Sequence, residues 1–227
     1  MNTELARFNM IEQQIRPWDV LDPAVLDLLA TMRREDFVPA AYRALAFVDT
    51  QVPLLPGAEA AAEGACMLEP KVEARLLQEL RLQRHEKVLE IGTGSGFMAA
   101  LLAHRAMHVH TLECRPDLAR LAREALRRNG VQNASVHEVD AAAGARGWPA
   151  EGPYDAIVLS GSVAEVPPAL LEQLKPGGRL VAIVGQEPIM TARLVTRSAH
   201  NAYAERDLFD TVAPRLLGFA EPARFHF

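Results

Sequence analysis

The chain has 227 residues, 24 Lys plus Arg against 29 Asp plus Glu, seven His, two Cys, 49% hydrophobic residues and a formal charge of −5. That length buries a substantial core in one large domain with an appendage, and the mildly acidic balance offers no electrostatic footprint for nucleic acid. No apolar run approaches the roughly 18 residues that cross a bilayer, the polar, amphipathic start does not read as a secretion signal, and Cys66 and Cys114 lack a CxxC partner. The expected setting is therefore cytoplasmic, with no membrane partner, no disulfide scaffold and no cysteine zinc site. His108 and His110 share a strand face without an evident third ligand, so no metal is expected.

In chain order, helical turns fall within residues 3–14, and Asp22 as N-cap with Pro23 at the first helical position opens a helix over 24–32. Residues 38–70 form a long loop carrying Pro39, Pro53, Pro56, Gly57, Gly64 and Pro70, with an alanine-rich stretch at 58–62. Loops of that length in a compact domain are commonly lids or binding loops. Val72, Leu76, Leu77 and Leu80 mark a further helix, so residues 1–80 read as a helical N-terminal extension with a lid loop, and 81–227 as the main domain of one structural unit.

From Lys87 onward, apolar runs at 88–91, 108–112, 134–139, 154–159 and 180–184 alternate with helical segments at 97–103, 116–129 and 168–174. In the second helix Leu118, Leu121, Ala122, Ala125 and Leu126 make one stripe while Arg120, Arg123, Arg127 and Arg128 face water, with Gly130 at its C-terminal end. Lys175-Pro176-Gly177-Gly178 is a breaker, and the tail after Thr191 offers two or three weak strands. The alternation predicts an α/β fold, Rossmann-like, with a mostly parallel sheet and helices on both faces.

The most informative stretch is Val88-Leu89-Glu90-Ile91-Gly92-Thr93-Gly94-Ser95-Gly96, a strand running into glycines and then a helix. Glycines let the backbone turn sharply and approach a ligand. A dinucleotide fingerprint would place its third glycine at position 97, which is Phe97; ExGxGxG is instead the pattern of S-adenosylmethionine-dependent methyltransferases. Glu90 can attract the ammonium of the methionine moiety. Glu113 ends the second strand, where an acid accepts hydrogen bonds from both ribose hydroxyls, and Asp140 ends the third, where it can accept the adenine amine beside the Ala141 amide. Thr93, Ser95 and Cys114 complete the expected cofactor set. Trp148 is placed near the adenine, and Phe97 in the core.

Several segments resemble the protein-L-isoaspartate O-methyltransferase family: Arg34-Glu35-Asp36-Phe37-Val38-Pro39, the tract 42–54 with Asp49, the loop 64–70, and the glycine loop to Phe97. Pro153-Tyr154-Asp155 onward to Glu165-Val166-Pro167 and the segment 170–180 join them, so the resemblance spans about residues 10–218. It implies a seven-stranded sheet and an enzyme that uses S-adenosylmethionine to esterify isoaspartyl carboxylates in damaged proteins or peptides. An ionised carboxylate needs no general base, so such an enzyme mainly aligns the reacting atoms and excludes water.

The resemblance places the acceptor cleft between the Asp49 tract, the lid Cys66-Met67-Leu68-Glu69-Pro70 and the loop Ser160-Gly161-Ser162-Val163. The family usually carries a Thr-Ile-Ser type sequence in this lid; here Cys66 stands for the threonine and Leu68 for the serine, and a leucine donates no hydrogen bond. Ser160 and Ser162 are gained hydroxyls, which either replace that donor or serve a different acceptor. Two alternatives therefore stand beside the repair enzyme: a methyltransferase for another carboxylate or a small molecule, and a cofactor-binding pseudoenzyme. Cys66 reads as an inert thiol, and Lys71 as a solvated lysine at a helix start. The oligomeric state is not legible.

Overall fold

The computed structural model describes residues 2–57, 64–199 and 202–221; the alanine-rich 58–62 lies outside them. The N-terminal helices are α1 (Thr3–Met10), which runs on through a wider helical turn at Ile11–Ile15, and α2 (Pro23–Thr31). The Asp22 carboxylate caps α2 by accepting the Ala24 amide at 2.8 Å. The predicted loop is less bare than its glycines and prolines suggest. Residues Ala40–Leu45 make a tight helical turn, and β1 (Val52–Pro53) pairs antiparallel with β2 (Cys66–Met67) to form a small hairpin. Helix α3 (Pro70–Leu80) leads into the sheet domain.

There the chain alternates β3 (Lys87–Ile91), α4 (Phe97–Arg105), β4 (His108–Glu113), α5 (Pro116–Arg128), β5 (Ala134–Glu138), α6 (Ala141–Ala145), β6 (Tyr154–Val163), α7 (Pro168–Leu171) and β7 (Leu174–Gln186). Strands β8 (Ile189–Ala199) and β9 (Ala202–Thr211) follow as an antiparallel hairpin. The sheet has seven strands in the order β5-β4-β3-β6-β7-β8-β9, parallel from β5 to β7. Strand order reverses beside β3, which opens a crevice at the carboxyl ends of β3 and β6.

Period-two alternation explains the two cores. Val88, Ala156, Val158, Val181 and Ile183 face the core shared with the N-terminal helices, α3 and α4, whereas Leu89, Ile157, Leu159, Leu180 and Ala182 face a smaller one with Tyr154 and Leu170. The extension is thus packed on the sheet domain. Arg34 binds the extension to its own lid and to α3: this side chain is 1% exposed, donates to the Ala46 carbonyl at 3.0 Å and the Leu68 carbonyl at 2.7 Å, and pairs with Glu73. Its guanidinium lies 4.8 Å over the Phe97 ring, which is itself edge-on to Phe37. Phe97 therefore fills the core.

Two expectations change. The helix expected over 168–174 stops at Leu171, and the breaker at 175–178 lies inside the start of β7. A register shift between Tyr154 and Ala156 absorbs it, with Gly177 at φ +80°. The loop expected at 160–163 is the end of β6, because non-local partners pair with it: Ser162 and Val163 lie opposite Ile183 and Val184 of β7, the Ser162 amide donates to the Pro214 carbonyl at 2.7 Å, and the Leu216 amide to the Ser162 carbonyl at 2.9 Å. Between Val158 and Ser162, β6 advances four residues while β7 advances two, and the resulting bulge turns the strand end toward the crevice.

Candidate active site

The glycine loop is held by its own polar groups. The Gly92 and Thr93 amides both donate to the Leu112 carbonyl, at 2.9 and 3.2 Å, and the Gly96 amide closes the turn on the Thr93 carbonyl at 2.8 Å. Ser95 Oγ accepts the Phe97 amide at 3.2 Å, and Thr93 Oγ1 lies 2.6 Å from Thr111 Oγ1. Thr93 and Ser95 are buried and brace the turn. Gly92 has φ +92°, and a Cβ there would lie 2.7 Å from the Leu216 side chain, so only glycine fits.

Two buried acids flank this loop. Glu113 accepts the Gly94 amide at 2.8 Å on one oxygen and the Arg115 amide at 3.0 Å on the other, with the Cys114 backbone as a further donor. Burial raises its pKa, and the backbone donors oppose that rise. Glu90 is fully buried, accepting Thr111 Oγ1 at 2.6 Å and Ser160 Oγ at 2.7 Å. Burial pushes its carboxyl up to about 8, against the two hydroxyl hydrogen bonds and helped by Glu73 and Glu113.

A cavity enclosing about 660 Å³, its open mouth included, lies over the carboxyl ends of β3 and β4. Gly92, Gly94, Glu113, Cys114 and Ala141 line it among the residues expected to bind cofactor, with apolar walls from Leu118 and Val139. Beside it is a narrower space of about 320 Å³ lined by Glu90, Thr93, Ser95, Leu68 and Met98, with Cys66, Gly92, Gly94 and Ser160 common to both. Asp140 is exposed at the rim, where one oxygen caps α6 through the Ala143 amide at 2.8 Å. Gly96 lies behind the loop, against Ala122 of α5.

Of the acceptor candidates, the structure brings Cys66, Leu68 and Ser160 to this cleft. Asp49 lines neither part; it is exposed and pairs with Lys71 at 2.7 Å, whose ammonium sits 4.4 Å over Trp18. Burial, aided by Glu69 and Glu73, pushes the Cys66 thiol up to about 12, so it stays protonated and unreactive. Trp148 stacks on His137 at 4.8 Å instead of lining the cavity. His110 and His137 are 3.1 Å apart through ring nitrogens, and burial lowers His110 to about 4. Among the described residues no group of three His, Cys, Asp or Glu is arranged to hold a metal ion.

Residues 215–217, which line the cavity wall, carry no local signal in the sequence. They reach it by the long-range bridge between Ser162 and Arg215, which hydrophobic periodicity does not reveal.

The family model for protein-L-isoaspartate(D-aspartate) O-methyltransferase matches residues 6–212. The chain belongs to this family. The protein-L-isoaspartate O-methyltransferase of Syntrophotalea carbinolica is 36% identical over 218 residues, 96% of each chain. That of Myxococcus xanthus is 42% identical over 166 residues, 73% of this chain and 74% of the relative. Among solved structures, a protein-L-isoaspartate O-methyltransferase superposes with a TM-score of 0.77 at 22% identity, covering 97% of this chain and 66% of that one. A Plasmodium falciparum protein assigned to the same activity, solved with S-adenosyl-L-homocysteine, superposes at 0.73 with 18% identity, covering 96% and 99%. At these identities the structures speak to the fold.

The site fits the cofactor of an S-adenosylmethionine-dependent O-methyltransferase. The amides of Gly92, Thr93, Gly94, Gly96 and Phe97 are all engaged within the protein, so the loop is not set out as a phosphate cradle. Two buried acids beside it suit ribose hydroxyls and a cationic group instead.

Proposed function

We propose that this chain methylates the free carboxylate of L-isoaspartyl residues in proteins, with S-adenosylmethionine as donor. When bound, that cofactor supplies a methyl group on a sulfonium sulfur. Glu113 would take the ribose hydroxyls, Asp140 and the Ala141 amide the adenine edge, and Glu90 the ammonium end. The observation that carries the reading is that the cavity at Glu113 and the space beneath Leu68 share the wall made by Gly92, Gly94, Cys66 and Ser160. Family membership supplies the acceptor class.

Nothing in the cleft has to remove a proton, because the acceptor carboxylate is ionised at neutral pH. The work left to the protein is alignment and exclusion of water. Leu68 and Met67 are buried and give the lid an apolar underside, and Arg34 fixes the lid by holding the Leu68 carbonyl. Residues 1–80 then serve as extension and lid, and 81–227 as the cofactor-binding unit. The two unpaired thiols, Cys66 and Cys114, suit a cytoplasmic setting.

A protein aged to accumulate isoaspartyl residues, incubated with methyl-labelled S-adenosylmethionine, tests the reading. Base-labile label on the aged sample, well above a fresh control, is expected. Label confined to small carboxylates would move the acceptor class. Cofactor binding without transfer to anything would make the chain a pseudoenzyme.

A further inference from the structure

The hydroxyls available for an acceptor carboxylate are already spent. Leu68 has none, Ser160 Oγ donates to Glu90 at 2.7 Å, and the fully buried Ser162 Oγ donates to the Ala213 carbonyl at 2.7 Å. The Cys66 thiol makes only a long contact of 3.6 Å with Gln51 Oε1, and thiols are weak donors.

A cation stands in the wall of the larger cavity, beside Cys66 and Ser160, the acceptor candidates that this cavity shares with the space beneath Leu68. Arg215 is placed by the parallel bridge to Ser162, and its Nη2 donates to the Gly185 carbonyl at 2.9 Å, so the guanidinium spans from the end of β6 to the end of β7. Nη1 lies 3.4 Å from Ser162 Oγ, a long bond, and Nε is 2.9 Å from the carboxylate of Glu221, whose side chain is 53% exposed. A guanidinium has five N–H donors in a fork that matches a carboxylate, and these contacts direct three of them. The side chain is 25% exposed, so its charge is less screened than a surface arginine's. The other arginine lining the cavity, Arg115, stands at the N-cap of α5 beside Glu113, on the cofactor side.

We propose that Arg215 binds the acceptor carboxylate, with Glu221 competing for the same guanidinium. The arginine then supplies the donor that Leu68 cannot. An arginine can hold one carboxylate oxygen while a lone pair on the other faces the methyl group. This inference rests on the carboxyl-methyltransferase reading above.

The test compares Arg215→Gln, Arg215→Lys and Glu221→Gln with the parent chain, reading KM for an isoaspartyl peptide at saturating S-adenosylmethionine and Kd for S-adenosylhomocysteine by calorimetry. Arg215→Gln is expected to raise the acceptor KM at least about tenfold while shifting the S-adenosylhomocysteine Kd less than about twofold. Arg215→Lys should fall between, and Glu221→Gln should lower KM about two- to threefold, since an exposed competing pair is weak. An unchanged acceptor KM in Arg215→Gln would overturn the proposal. So would a parallel loss of S-adenosylhomocysteine affinity, because the tail would then merely prop the cavity. Failure of the parent chain to methylate the peptide at all would instead sink the functional reading, and this inference with it.

Discussion

Glu90 shows what a buried acid does at this site. It is fully buried between two hydroxyls and raised from its ordinary 4.5 to about 8. Between those values it is protonated in the fold and ionised in the unfolded chain, so the folded state holds the extra proton and stability falls as pH rises. His110 and His137 have lowered values and act oppositely, losing stability as pH falls below 6.5. The window free of these histidines is therefore pH 6.5 to 8, where the raised carboxyls of Glu73 and Glu113 act in the same direction as Glu90. There, denaturant unfolding of the cofactor-free protein should show stability declining with pH, and Glu90→Gln should reduce that slope by at most about 1.4 kcal/mol per pH unit. A slope unchanged in Glu90→Gln would assign it elsewhere. Glu113 is the other testable acid: Glu113→Ala removes charge-assisted acceptors, and calorimetry should find S-adenosylhomocysteine bound at least about tenfold more weakly. Both acids were legible in the sequence because they fall at the ends of consecutive predicted strands, Glu90 just before the glycine loop and Glu113 17 residues after Gly96. Their hydroxyl and amide partners were not, since Thr111 and Ser160 lie 21 and 70 residues from Glu90.

At the scale of elements, the N-terminal helices are tied to the lid and to α3 by the buried pair of Arg34 and Glu73, with the Leu68 carbonyl as a further partner, and the Arg34 guanidinium reaches the sheet domain over Phe97. Taking either charge alone out leaves the other buried and uncompensated. Arg34→Ala should cost about 3–5 kcal/mol in urea unfolding, while Arg34→Met combined with Glu73→Leu should recover most of it. Equal loss in the single and double variants would mean that packing over Phe97, not charge, dominates. The helices and parallel strands were readable because each carries its own period, 3.6 or two, and recognisable caps such as Asp22-Pro23. The end of β6 was not. Ser160 to Val163 look like a loop by composition, and become a strand because Ile183 and Val184 of β7 pair with Ser162 and Val163 on one side and residues 214–216 pair with Ser162 from more than fifty positions away.

For the whole molecule, that same pairing folds the C-terminal segment across the crevice, so the cleft is made of parts that meet only in the finished fold. Leu216 seats between two glycines: a Cβ at Gly161 would approach its side chain at 2.8 Å and the Pro214 carbonyl at 3.0 Å. Gly161→Ala should loosen the segment and raise the acceptor KM several-fold with little change in urea midpoint, and adding Leu216→Ala should restore part of the loss. An activity loss that Leu216→Ala deepens would place the clash elsewhere. The central claim is methyl transfer to an isoaspartyl carboxylate, and matched synthetic peptides differing only in an isoaspartyl or aspartyl linkage test it most directly. Initial rates with labelled S-adenosylmethionine, at a pH where methyl esters persist, should show transfer to the isoaspartyl peptide alone. Equal labelling of both peptides, or of neither while S-adenosylhomocysteine still binds, would contradict the account.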